Sequence, residues 1–211
     1  MAQSPWVKVT LLPSNHMSTA LAEILAAMPR KRFTPEEYLL LERAAETKSE
    51  YVDGEIVAMS GVSQNHNRIS LGVGAELRRQ LRGKKCSVFV SDMRVMVGGS
   101  YFYPDAGVVC SPPQLLDAEN DTLLNPALVA EVLSPTTARY DRQVKLARYQ
   151  SLPTMQHILL IAQDRVRVEH YRRHQDQWML ETHASLSAAI ELTDIGCSLP
   201  LAEIYEGTGL T

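Results

Sequence analysis

The pieces Tyr103-Pro-Asp105-Ala-Gly-Val-Val-Cys110, Ala127-Leu-Val-Ala-Glu131-Val-Leu-Ser-Pro135 and Asp141-Arg-Gln-Val-Lys145 decide how this chain is read. The first two are short apolar runs rich in valine and leucine, of a length that suits central strands. Each is interrupted by a carboxylate. A carboxylate in such a run must be paired, bound to a metal or solvated at a strand end, because burying it alone is too costly. Pro135 then breaks the chain, and a helix is expected from about Ala138 to Gln150, carrying Lys145.

Outward from this stretch the pattern is regular. On the N-terminal side, Thr34-Pro35-Glu36-Glu37 supplies an N-cap, a proline at the first helical position and a glutamate at the third, predicting a helix to about Ala45. Ser49-Glu50-Tyr51-Val52 and Glu55-Ile56-Val57-Ala58-Met59 flank Asp53-Gly54, the preferred two-residue hairpin turn. Ile69, Val73, Leu77 and Leu81 recur every four residues and give a long helix from Asn65 to about Leu81 one buried face. Three strand-like runs follow, Ser87 to Val97, Tyr101 to Cys110 and Ala127 to Leu133, and Met155 to Ala162 forms another beyond the second helix. The order is helix, three strands, helix, strand. Arg165 to Thr182 alternates like a hairpin turning near Gln175-Asp176, which suits added edge strands. Before all of this, Ser18 to Met28 reads as a short apolar helix ended by Pro29, and Met17 could serve as an alternative start.

The 211 residues suit a single domain over 31–211 behind an N-terminal extension, residues 1–30. A net charge of −3 argues against a coat that holds nucleic acid by its overall field, but leaves room for a local basic face. Two clusters could provide one: Arg78, Arg79, Arg82, Lys84 and Lys85, and Arg139, Arg142, Lys145 and Arg148. Each alone reads at least as well as a solvated helix face. Cys86, Cys110 and Cys197 are odd in number, far apart and without C-x-x-C spacing, so neither a disulfide framework nor a zinc knuckle is expected and a reducing cytoplasm fits best. No basic start with a long apolar run is present, and no stretch approaches eighteen apolar residues, so neither secretion nor membrane spanning is expected.

Two strand carboxylates followed by a lysine suit hydrolysis of a phosphodiester, which requires hard cations, an activated water and neutralisation of charge on the phosphate. Asp105 and Glu131 are the expected metal ligands, with the backbone carbonyl of Val132 as a third oxygen. Singly, each residue has an ordinary reading. Asp141 and Lys145 could be an i,i+4 ion pair, Asp105 a turn cap and Glu131 the partner of an arginine. Glu55 is a further acidic candidate beside its reading as a solvent-facing strand glutamate, and His66 a candidate for a phosphate or a metal-bound water beside its reading as a helix-start histidine. His170 and His174 fall around a strand and turn and read as surface residues. Ser134 lacks the glycines of a nucleophile elbow, and Gly72-Val-Gly74 lies inside a helix rather than in a phosphate loop.

Pro104-Asp105, Glu131-Val132-Leu133-Ser134-Pro135, Asp141 and Lys145 together resemble the PD-(D/E)xK nuclease superfamily, and more narrowly its Uma-two-type restriction endonucleases. The resemblance runs from Arg32 to about Tyr171 and includes the Asp-Gly-Glu hairpin and the His66 helix start. It implies an α/β (α+β) fold with a restriction-endonuclease-like αβββαβ core and a mixed central sheet, joined by an N-terminal helix, a hairpin and C-terminal edge strands. It also implies a Mg (or Mn)-dependent endodeoxyribonuclease with DNA as partner, paired as a homodimer through the edge strands. One position departs from the family pattern: Leu133 stands where the superfamily places its lysine, and Lys145 on the following helix is the expected substitute. The competing expectation is a non-catalytic nucleic-acid or protein interaction module that retains the nuclease fold.

Overall fold

In the computed structural model, which describes residues 31–59 and 61–211, the described chain begins with helix α1 (Pro35–Ala44). The Thr34 hydroxyl accepts the Glu37 N–H at 3.2 Å, and the Glu37 carboxylate accepts the Thr34 N–H at 2.9 Å, closing the expected capping box. Strands β1 (Ser49–Val52) and β2 (Glu55–Ala58) follow as a hairpin, its turn formed by Asp53 and Gly54 at φ 49° and 92°. Helix α2 (Gln64–Leu81) is capped by Ser63, whose hydroxyl accepts the His66 N–H at 3.1 Å. Its Ile69, Val73, Leu77 and Leu81 are buried, as the four-residue repeat requires.

The next elements are short: β3 (Ser87–Val90), β4 (Arg94–Val97), β5 (Ser100–Phe102), β6 (Ala106–Val109) and β7 (Thr122–Leu123). Strand β8 (Leu128–Leu133) is wholly buried. A helical segment follows, made of α3 (Ala138–Tyr140), a π-helical turn (Asp141–Lys145) and α4 (Leu146–Ser151). Strand β9 (His157–Ala162) is succeeded by hairpin β10 (Val168–His174) and β11 (Gln177–His183), then by β12 (Ala189–Leu192), β13 (Cys197–Pro200) and α5 (Leu201–Ile204).

The central sheet runs β11-β10-β9-β8-β6-β3. Its β8–β9 pair is parallel and the others antiparallel, so the chain needs a crossover between those two strands, which the helical segment supplies. In chain order α2, β3, β6, β8, helical segment and β9 form the αβββαβ core. The fold is therefore mixed α+β, with a second sheet of order β2-β1-β5-β4-β7 beside the first. One face of the central sheet packs against α2, β12–β13 and α5 through Val108, Leu128, Leu159, Ile161 and Ile190. The other, with Val129, Leu133 and Leu160, packs against Tyr149 and the second sheet's Val95 and Phe102.

Two expected strands are corrected. Ser87 to Val97 is not one strand, because a turn closed by the Met93 N–H on the Val90 carbonyl sends β3 and β4 into different sheets. Tyr101 to Cys110 is likewise split, with Pro104, which lacks an N–H to continue a ladder, in the passage from β5 to β6. The cysteine expectation is also corrected, since Cys86 and Cys110 form a disulfide. Ser87 pairs with Val109, so the next pair outward is Cys86 and Cys110. Separation along the chain carries no such register, and the pairing removes the cysteine argument for a reducing cytoplasm. Phe33–Thr211 forms one compact unit. The expected extension over residues 1–30, with its helix from Ser18 to Met28 and the Met17 start, lies outside the described residues.

Candidate functional site

The β6–β8 ladder ends at the pair Ala106 and Ala130, so the next residues outward are Asp105 and Glu131, facing one another just beyond the last pairing. Here the Asp105 side chain takes over from the backbone: its Oδ2 accepts the Val132 N–H at 2.7 Å. Glu131 sits inside β8 and is almost fully buried. Alternation along the strand puts Glu131 on the same face as Val129 and Leu133, the face roofed by the helical segment.

Lys145 descends from that roof. Its Nζ lies 2.7 Å from Glu131 Oε1, 2.9 Å from Glu50 Oε1 and 3.7 Å from Asp141 Oδ1. The π-helical turn buries both Asp141 and Lys145, and such turns concentrate at functional sites. Tyr149, from α4, donates its hydroxyl to Glu131 Oε1 at 2.7 Å. His66, at the first turn of α2, lies with Nε2 3.5 Å from Asp105 Oδ2. These groups surround a small cavity of about 100 Å³ lined by Glu50, His66, Asp105, Glu131, Asp141 and Lys145.

Burial and mutual repulsion dominate the electrostatics. Desolvation raises the carboxyl of Asp105, against the opposing pull of His66 and the Val132 N–H. Glu131 is pushed well above the usual carboxylate range by burial, with Asp141, Asp105 and Glu50 adding to it and Lys145 opposing. Asp141 is raised by burial too. Burial alone would lower Lys145, but Glu131, Glu50 and Asp141 outweigh it, so Lys145 is held well above its ordinary value and keeps its proton.

The structure thus gathers Asp105, Glu131, Val132, Lys145 and His66, but not Glu55. Val57, opposite Glu50 in the hairpin, lines the cavity, whereas Glu55 pairs with Val52 beside the turn and lies outside the lining. Glu50 is the residue the sequence reading passed over. Its signal was the same one used for Asp105 and Glu131, a carboxylate inside a short strand run. Its Oε1 also accepts the Tyr103 N–H at 3.0 Å, tying the hairpin to the site. Of the second basic cluster, Arg142 bonds Glu169 at 3.0 Å and Arg148 bonds Asp53 at 2.6 Å. His170 is corrected from a surface residue to a buried one, packed against His157.

The family model Uma2, described as "Putative restriction endonuclease", matches residues 35–202. The chain belongs to the Uma2 family. Every cavity residue named above falls inside the match. Two relatives come from Synechocystis sp.: the uncharacterized protein sll1609 is 39% identical over 166 residues, covering 77% of this chain and 94% of its own length. The uncharacterized protein slr1290 is 35% identical over 181 residues, covering 85% and 94%. A crystal structure from Anabaena variabilis ATCC 29413, described as "a putative nuclease belonging to DUF820", superposes with TM-score 0.70 at 20% identity over 83% of this chain and 99% of that one. That likeness shows the shared fold. Among the described residues of this Uma2 chain, no helix is long and apolar enough to cross a membrane.

Proposed function

We propose that this Uma2 chain is a metal-dependent endonuclease that hydrolyses phosphodiester bonds of DNA at the end of the β6–β8 ladder. The observation that carries the reading is the meeting there of Asp105 and Glu131 with Lys145, whose Nζ is 2.7 Å from Glu131. Glu50, Asp105, Glu131 and Asp141 crowd around one ammonium, and the raised proton affinity of Asp105, Glu131 and Asp141 expresses a shortage of positive charge. The donor set is all oxygen and fits a hard cation such as Mg²⁺ or Mn²⁺. Asp105, Glu131 and the Val132 carbonyl would hold it, and the ion would supply Lewis-acid polarisation and a more acidic water.

The chain's own residues do the rest. Lys145 keeps its proton, so it serves as a fixed positive charge toward the phosphate or the attacking hydroxide rather than as a base. Glu50 and Tyr149 orient Lys145 and Glu131. His66, beside Asp105, is suited to a phosphate oxygen or the attacking water. A second copy of the chain is the proposed partner: β11 is an edge of the central sheet, and its Met179 and Leu180 are 52% and 54% exposed. A monomeric mass by light scattering would remove that part.

The test is a cleavage panel of supercoiled, linear, single-stranded and branched DNA with Mg²⁺ or Mn²⁺, with Asp105→Ala as the blank. Cleavage that requires the cation and vanishes in the blank supports the enzyme. Equal cutting by Asp105→Ala, or none of any substrate, sinks it, and an unaffected Lys145→Ala sinks the lysine's role. One observation favours a non-catalytic interaction module: Lys145 is already neutralised by Glu131 and Glu50. Thermal stabilisation by Mg²⁺ that disappears in Asp105→Ala discriminates against it.

A further inference from the structure

We propose that His170, Glu181 and His183 form a second cation site, of the zinc class, on the opposite face of the central sheet from Lys145. One potential ligand atom from each lies within 4.8 Å of the others. The placement follows from the β10–β11 register: His170 pairs directly with Glu181, and His183, paired with Val168, lies two residues along on the same face.

The imidazoles carry the argument. His170 is 1% exposed, and its Nε2 is engaged 3.0 Å from His157 Nδ1, whereas its buried Nδ1 has no hydrogen-bond partner among the described residues. His183 Nε2 is buried, likewise lacks a hydrogen-bond partner among the described residues, and lies 3.8 Å from Glu181 Oε2. Buried polar atoms are normally satisfied, and two such nitrogens beside a carboxylate are accounted for by a cation that accepts their lone pairs. Behind His170 the contacts suit a ligand. With its Nδ1 lone pair committed to a cation, the proton sits on Nε2 and is donated to His157 Nδ1. The remaining proton of His157, on Nε2, then faces Asp194 Oδ2 at 3.6 Å. The direct outer support of His170 is thus the His157 imidazole, with the Asp194 carboxylate one step further out. The same Asp194 oxygen lies 3.5 Å from Arg172, offsetting the nearest positive charge.

Two imidazoles and one carboxylate are the donors of a four-coordinate zinc site with a vacant fourth position, and a poor match for Mg²⁺, which prefers oxygen alone. Glu181 is 58% exposed, so the fourth position opens to solvent. A cation here would clip the edge strand β11 to β10.

The experiment is calorimetric titration of the untagged full chain with Zn²⁺, with visible absorption of the Co²⁺ form reporting a four-coordinate nitrogen and oxygen set. Wild type and Asp105→Ala are expected to bind alike, which separates this site from the acidic cavity. His183→Ala and Glu181→Gln should each bind at least about tenfold more weakly, and Asp194→Asn, one imidazole removed from the ligand, should lose less. Glu181→Gln alters an exposed residue, so its loss of binding does not depend on whether His183→Ala folds. Absence of Zn²⁺ binding by wild type, unchanged binding in both ligand variants, or loss confined to Asp105→Ala overturns the proposal.

Discussion

The acidic cavity and the histidine cluster occupy opposite faces of one sheet and answer burial in opposite ways. In the cavity, Glu131 and Asp141 are buried and Asp105 half-buried, and the proton affinity of all three rises. Across the sheet, burial lowers His157 and His170 to about 4, so both stand neutral with lone pairs available. Desolvation penalises whichever form is charged, so it makes an acid hold its proton and an imidazole release one. Side-chain chemistry alone therefore turns the same burial into a hard-oxygen environment on one face and a borderline nitrogen environment on the other.

The largest way to break this contrast is to remove the ammonium. Lys145→Met should destabilise the metal-free chain by about 3–5 kcal/mol, because the carboxylates it pairs are left buried without compensation. Urea unfolding measures this, and Mg²⁺ should restore part of the loss. Next, Asp105→Ala should cut the proposed cleavage rate by about 10²–10³-fold, the loss typical of deleting one charge-stabilising group, while leaving Zn²⁺ binding intact.

The two faces should also respond to pH with opposite sign. A folded-state pKa raised on Asp105, Glu131 and Asp141 gives stability present below the unfolded value near about 4 and lost as pH climbs through the raised values. Glu131→Gln should flatten that part of the profile. For His157 and His170, lowered from 6.5 to about 4, the contribution is present above pH 6.5 and is lost as pH falls toward 4, by about 1–3 kcal/mol for each histidine. Thermal unfolding across pH 4 to 8, with and without His170→Gln, checks it. The smallest effect expected lies away from both sites: Thr34→Ala should cost about 1 kcal/mol by opening the α1 capping box, with no change in cation response.

What the sequence made legible follows from the range of the interactions involved. The capping box at Thr34, the Asp53-Gly54 turn and the Ile69 to Leu81 stripe are local, and their residue types specify them within a few positions. Asp105 and Glu131 were legible because a carboxylate in an apolar strand is an anomaly that demands a partner. Glu50 presented the same anomaly, but its meaning depends on a contact with Lys145, 95 positions along the chain. The disulfide and the histidine cluster depend on strand register, which no single run of residues reveals. The splitting of two long runs between two sheets depends on tertiary packing, with Pro104 the one local hint.

The π-helical turn makes the position of Lys145 a matter of counting. A π turn accommodates one more residue than an α turn, so deleting a single residue between Tyr140 and Lys145 would restore ordinary helical phase. Lys145 and α4 lie on the same side of such a deletion, so they would keep or lose their seats together, and any residual change of phase, about 100° per residue, would turn both relative to α3. A change of length ahead of Lys145 therefore acts on both of Glu131's helical partners, Lys145 and Tyr149, as one body, whereas a substitution removes one of them at a time.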